Sequence, residues 1–156
     1  MRLLVLAVGT RMPRWVDEAF ADYARRMPRH LALELVAVRP EPRGEGRPLP
    51  AMLQAEAARL QSALPAGCTR IALDERGNEY TTGAFAQWLA RQTGEGRDLA
   101  FLIGGPDGLA PALLKSADLR LRLSAFTLPH ALARVLLAEQ LYRAASILGG
   151  HPYHRG

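Results

Sequence analysis

Residues 2–10 read RLLVLAVGT, an apolar run that opens the chain and ends at Gly9-Thr10. From Leu3 to Val8 no polar side chain interrupts it. In extended backbone successive side chains point to opposite sides, so a strand of this composition must be covered on both faces. Such a strand belongs to a parallel sheet layered between helices rather than to a sandwich with one wet face. A helix should follow it. Pro13 suits a first helical turn, and Val16, Phe20, Tyr23 and Met27 then recur at helical spacing until Pro28 stops the pattern.

Working outward, the same alternation continues. LALELVAV (31–38) reads as a second strand. RPEPRGEGRPLP (39–50), with four prolines and two glycines, reads as a mobile surface loop. Leu53, Ala57, Leu60 and Leu64 mark a helix ended by Pro65 and Gly67. RIALD (70–74) is a third strand, followed by the turn ERGN and a helix capped near Thr82 with Phe85 and Leu89 inward. LAFLI (99–103) is a fourth, followed by GGPDGL. A fifth spans 119–123 with Ser124 and leads through AFTLP into a long helix over about 129–148. The pattern predicts an α/β fold, a parallel sheet with helices on both faces. Residues 1–156 make one domain by size, with no internal repeat or linker.

Cys68 is the single cysteine, which rules out a disulfide or a Cys-based zinc site within one chain and fits a reducing compartment. No cationic leader and no apolar run of membrane-spanning length is present, so the protein is expected to be soluble and cytoplasmic, with no membrane partner. The net charge of +5 is carried almost wholly by arginine, with Lys115 the one lysine. Arginine's planar fork suits phosphate, so a nucleic-acid partner is permitted. The arginines are scattered, and any basic patch must be assembled by folding.

In an open parallel sheet ligands sit outside the carboxyl ends of the strands. Three segments fall there: Leu73 to Gly77, Ile103 to Gly108 and Leu123 to Leu128. Each combines small residues with free backbone groups able to approach a flat, partly apolar cofactor. GGPDGL lacks the Gly-Lys-Ser/Thr ending of a P-loop, and no acidic residue stands about 20 positions beyond it to hold a ribose, which disfavours an ATPase and a nicotinamide enzyme.

The long helix PHALARVLLAEQLYRAASILGG has Pro129 in its first turn, Thr127 as a candidate cap and Glu139–Arg143 as an i,i+4 pair. Leu132, Val135, Leu136, Leu137, Leu141, Ile147 and Leu148 surround its axis. It should therefore be covered on more than one side, by its own subunit or by a second copy in a two-fold dimer. The tail HPYHRG (151–156) leaves that helix with Tyr153, able to stack on a base, His154, able to move a proton or donate a hydrogen bond, and Arg155, able to hold a phosphate. His151 and His154 lack a third ligand, so no metal is expected. His130 is expected to cap or pack.

The stretches AVGTRMPRWV, LDERG, FLIGGPDGL, LSAFTLPHALARVLLAEQLYRA and HPYHR together resemble the RlmH-type pseudouridine methyltransferases of the large ribosomal subunit, members of the knotted SPOUT superfamily. The resemblance spans the whole chain. It implies a homodimer, a C-terminal trefoil knot, S-adenosyl-L-methionine as methyl donor, and methylation of N3 of a pseudouridine in 23S ribosomal RNA on the ribosome. By matching motif it implies a donor pocket of Leu73, Gly104, Gly105, Leu123, Ser124, Ala125, Phe126, Thr127 and Leu128. Tyr153, His154 and Arg155, with Arg143, would complete the active site across the dimer. The alternative is a non-catalytic ribosome-binding or assembly protein on the same fold.

Overall fold

The opening apolar run becomes β1 (Arg2–Val8), an interior strand of a five-stranded sheet. This is a computed structural model, described for residues 1–155; Gly156, the last residue of the tail, lies outside the described part. In chain order there follow α1 (Arg14–Arg26), β2 (Ala32–Val38) after a single 3-10 turn, α2 (Leu49–Ala63), β3 (Thr69–Glu79), α3 (Thr82–Glu95), β4 (Leu99–Ile103), α4 (Pro111–Ser116), β5 (Leu119–Arg122) and α5 (His130–Leu148). The strands lie in the order β2-β1-β4-β3-β5, and every pairing is parallel.

The period of two in β1 divides the core. Leu3, Val5 and Ala7 join Phe101, Leu137 and Leu141 on the face covered by α1, α3 and α5. Leu4, Leu6 and Val8 join Leu60, Leu102 and Leu113 on the face covered by α2 and α4. Burying each such leucine is worth about 1.5–3 kcal/mol over leaving it in water. The expected doubly covered parallel sheet is thus present. Along α5, Arg134, Leu137, Leu141 and Tyr142 are buried, whereas Leu132, Val135 and Leu136 remain half-exposed.

Local details differ from expectation for identifiable reasons. Pro13 and Pro129 cap their helices rather than sit in the first turn, and no side-chain hydrogen bond from Thr127 caps α5. Thr81, not Thr82, caps α3, its hydroxyl accepting the Ala84 N–H at 3.1 Å, with Phe85 and Leu89 inward as read. The six-residue α4 is too short to show a period. The ERGN stretch is no simple turn. Strand β3 continues through it to Glu79, and Leu73 and Asn78 both align with Leu121, so residues 74–77 loop out of the ladder. Gly77 permits this, because a Cβ there would stand 2.8 Å from the Arg120 carbonyl.

Residues 39–50, expected to form a mobile loop, are tied down. Leu49 and Pro50 belong to α2, whose first turn tolerates proline. Glu41 pairs with Arg47 at 2.6 Å and Arg59 at 2.5 Å, and Arg43 pairs with the buried Glu56 at 2.8 Å. Proline and glycine report the lack of regular backbone, not the lack of partners, and two of these partners, Glu56 and Arg59, come from a helix further along the chain.

Candidate active site

Strands β4, β3 and β5 are neighbours, so the three segments that follow their Leu73, Ile103 and Leu121 positions converge. They enclose a cleft of about 960 Å³, joined by His130 and Ala133 from the start of α5. That volume is in the range of small-molecule sites, about 300–1,000 Å³. One wall is a turn closed by the Gly108 N–H donating to the Gly105 carbonyl at 3.0 Å. A Cβ on Gly104 would lie 2.4 Å from the Gly108 carbonyl, so backbone packs on backbone and only glycine fits. The third segment is shaped by Ser124, whose Oγ accepts the Phe126 N–H at 2.9 Å, while its carbonyl accepts from Arg122 Nε at 3.2 Å.

Of the residues expected to hold a donor, Leu73, Gly104, Gly105, Leu123, Ser124, Phe126, Thr127 and Leu128 line this cleft. Ala125 does not; it is exposed one step off the wall. Phe126 is 84 % exposed and stands at the rim. The sequence reading gives His130 only a capping or packing role and gives Arg134 none. His130 lines the cleft, where burial and then the nearby Arg134 charge push its pKa below the ordinary value and favour the neutral ring. Arg134 is buried, donates to the Gly9 carbonyl at 3.2 Å from the end of β1, and has its Nε without a partner. A lone arginine in an apolar helix gives no sequence signal of where its head will lie.

A second group forms where the tail folds back on α5 and α1. Glu139 Oε1 accepts from Arg143 Nε at 2.8 Å and Nη2 at 2.7 Å, and from the Tyr153 hydroxyl at 3.2 Å. The Tyr153 ring meets Tyr142 edge-on at 4.7 Å, with the Arg143 guanidinium 4.7 Å from its centre and that of Arg26 at 5.4 Å. Burial foremost, then a hydrogen bond with Tyr23 and the Glu139 charge, push the Tyr153 hydroxyl up to about 12. Arg143 Nη1 lies 3.1 Å from His154 Nδ1. Arginine has donors only, so Nδ1 accepts and the neutral imidazole carries its proton on Nε2.

Arg143, Tyr153 and His154 are thus brought together, and the exposed Arg155 follows directly after them. None of the four lines the three-segment cleft. Cys68 is half-buried and its thiol is raised chiefly by burial, away from both groups. Among the described residues no three His, Cys, Asp or Glu side chains group as metal ligands, and no helix is long and apolar enough to cross a membrane.

A cleft at strand carboxyl ends, walled by glycine turns and by the segment leading into the last helix, fits the family match. A family model described as a predicted SPOUT methyltransferase covers residues 1–154. A Bordetella avium protein named ribosomal RNA large subunit methyltransferase H is 57 % identical over 155 residues, 99 % of each chain. Its namesake in Ralstonia nicotianae is 54 % identical over the same share. Among solved structures, a probable methylase family protein from Haemophilus influenzae superposes with a TM-score of 0.54 at 16 % identity, covering 99 % of this chain and 70 % of that one, a likeness of fold alone. Matched along its length at this level, the chain belongs to the SPOUT methyltransferases, in the group of ribosomal RNA large subunit methyltransferase H.

Proposed function

We propose that this chain, an S-adenosyl-L-methionine-dependent methyltransferase of large-subunit ribosomal RNA, methylates N3 of a pseudouridine in the cytoplasm, acting on the ribosome as a homodimer. In this proposal the last segments form a trefoil knot around the donor, and the tail of one protomer completes the cleft of the other. The observation that carries it is the separation of the two groups: a cleft with no tail residue in its lining, and tail residues Tyr153 and His154 gathered instead on Glu139 and Arg143. The half-exposed Leu132, Val135 and Leu136 on α5 offer the apolar surface a two-fold partner would cover.

The cleft fits the donor on its own terms. It has the volume for an adenosyl group, the Gly104–Gly108 cradle that a Cβ would fill, and Leu73 and Leu123 as apolar walls. When bound, S-adenosyl-L-methionine supplies an electrophilic methyl group on a sulfonium, for which no cysteine nucleophile is needed when the acceptor is a ring nitrogen. The chain's own residues must orient the base and stabilise the negative charge that spreads over the ring as N3 loses its proton to solvent. With Arg143 on Nδ1, His154 offers its Nε2–H as a donor to a ring carbonyl rather than a lone pair to the N3 proton. Preorganised donors of this kind contribute about 10²–10³-fold, and alignment of the reactants about 7–11 kcal/mol. The exposed Arg155 would meet a phosphate of the RNA.

A mixing experiment tests the shared site. Protomers carrying Gly104→Val and protomers lacking residues 151–156 should each be inactive alone. Mixed, unfolded and refolded together, they should recover about a quarter of wild-type methylation, because half the dimers then hold one intact composite site. No recovery would mean that each protomer works with its own tail. Mass spectrometry of the ribosomal RNA fragment must show one added methyl on a pseudouridine. RNA association with no product would favour the non-catalytic ribosome-binding or assembly protein.

A further inference from the structure

We infer that Arg43 is a positioning residue for donor binding, its guanidinium holding Asp107, and with it the Gly104–Gly108 wall of the cleft, to the buried carboxylate of Glu56; this rests on the cleft being the S-adenosyl-L-methionine site. Asp107 lies in the exposed part of the turn between Pro106 and Gly108, where backbone pairing of Gly108 with Gly105 closes the loop. A wall made of backbone contacts too close for a Cβ has one shape that admits the donor, so a turn left loose must be ordered at the moment of binding and affinity falls. Something must hold the turn from outside.

Arg43 does so from a distant part of the chain. Its Nε donates to Asp107 Oδ2 at 3.1 Å, while Nη1 donates to Glu56 Oε2 and to the Glu41 carbonyl, both at 2.8 Å. Glu56 is only 2 % exposed and also accepts the Glu41 N–H at 2.9 Å. A buried carboxylate left without its cation would be costly, so the fork is fixed in place by its Glu56 edge and presents the other edge to Asp107. Glu41 is itself clamped by Arg47 and Arg59, which keeps the 39–47 backbone from drifting. The planar guanidinium bridges two carboxylates on different elements at once; a lysine ammonium at the same place could satisfy Glu56 but not span to Asp107.

A double-variant cycle reads this out, with calorimetric titration of S-adenosyl-L-methionine and steady-state methylation on the full dimeric protein. Arg43→Ala and Asp107→Asn should each weaken donor affinity by about five-fold, and the pair together no more than the worse of the two, as for residues acting through one contact. KM for the donor should rise with kcat at saturation nearly kept. Arg43→Lys should recover the melting temperature lost in Arg43→Ala but not the affinity, whereas a purely structural role would restore both or disturb neither. If Arg43→Ala does not fold, Arg43→Lys and Asp107→Asn carry the same comparison. Wild-type affinity in Arg43→Lys, or fully additive losses in the cycle, would overturn the inference. A wild-type protein that binds no donor would instead overturn the donor site beneath it, and the tether with it.

Discussion

The cleft and the tail cluster lie in the same molecule and are built on opposite principles. The cleft is made of backbone. Its walls are turns whose shape depends on the absence of side chains at Gly104 and on Gly77 letting residues 74–77 leave the ladder. The tail cluster is made of side chains. One carboxylate, Glu139, collects Arg143 and Tyr153, and two guanidiniums, from Arg26 and Arg143, face the Tyr153 ring. Backbone sites are shaped by sterics and tolerate no added atom, whereas side-chain clusters distribute their energy over several contacts and lose function by degrees.

The largest test of that contrast is Gly104→Val. The added side chain must displace the Gly108 backbone, so donor affinity and kcat/KM should each fall by about 100-fold or more. The Tyr153 cluster, built further along α5, should keep its near-ultraviolet signature. Calorimetry with S-adenosyl-L-methionine beside circular dichroism checks both halves, and a variant that loses the aromatic signature as well would break the separation of the two regions.

Glu139→Gln comes next. Removing the charge that holds Arg143 and Tyr153 should lower kcat by about ten-fold, with donor affinity unchanged, because the tail is set loose while the cleft is untouched. A matching loss of donor affinity would show that the two groups act as one site. The smallest effect is expected for Tyr153→Phe, which keeps the stacking and removes the hydroxyl. In the folded protein that hydroxyl is raised to about 12 from its ordinary 10. Between those values the native state keeps a proton that the unfolded chain gives up, so wild-type stability should fall as pH rises from about 10 to 12. Urea melts across that range should show a shallower fall for Tyr153→Phe; equal slopes would mean the hydroxyl is not held by the cluster.

Much of the fold is legible in the sequence. The run from Leu3 to Val8 required cover on both faces, and it has that cover, with odd and even positions in separate halves of the core. The Glu139–Arg143 pair and the inward Phe85 and Leu89 follow from helical spacing alone. The segments Leu73 to Gly77, Ile103 to Gly108 and Leu123 to Leu128 could be named as lying at strand ends, and their small residues read as places of close backbone approach. Local rules reach that far because they depend on the period of the backbone and on neighbours a few residues away.

The rest depends on which elements become neighbours. Nothing in the local pattern says that β4, β3 and β5 lie side by side in that order, yet only this order gathers the three turns into one cleft. The ion pairs that hold residues 39–47 to α2 and to Asp107, and the burial of Arg134 under the end of β1, join positions from 13 to 125 residues apart. Composition had marked the first as a loose loop and had no mark for the second. Sequence determined the strands, the helices and the turns between them, since those obey short-range sterics and hydrophobic period. The arrangement of the site, and the distance between cleft and tail, came from long-range packing, where the burial of one charge or one apolar face settles what its distant partner must be.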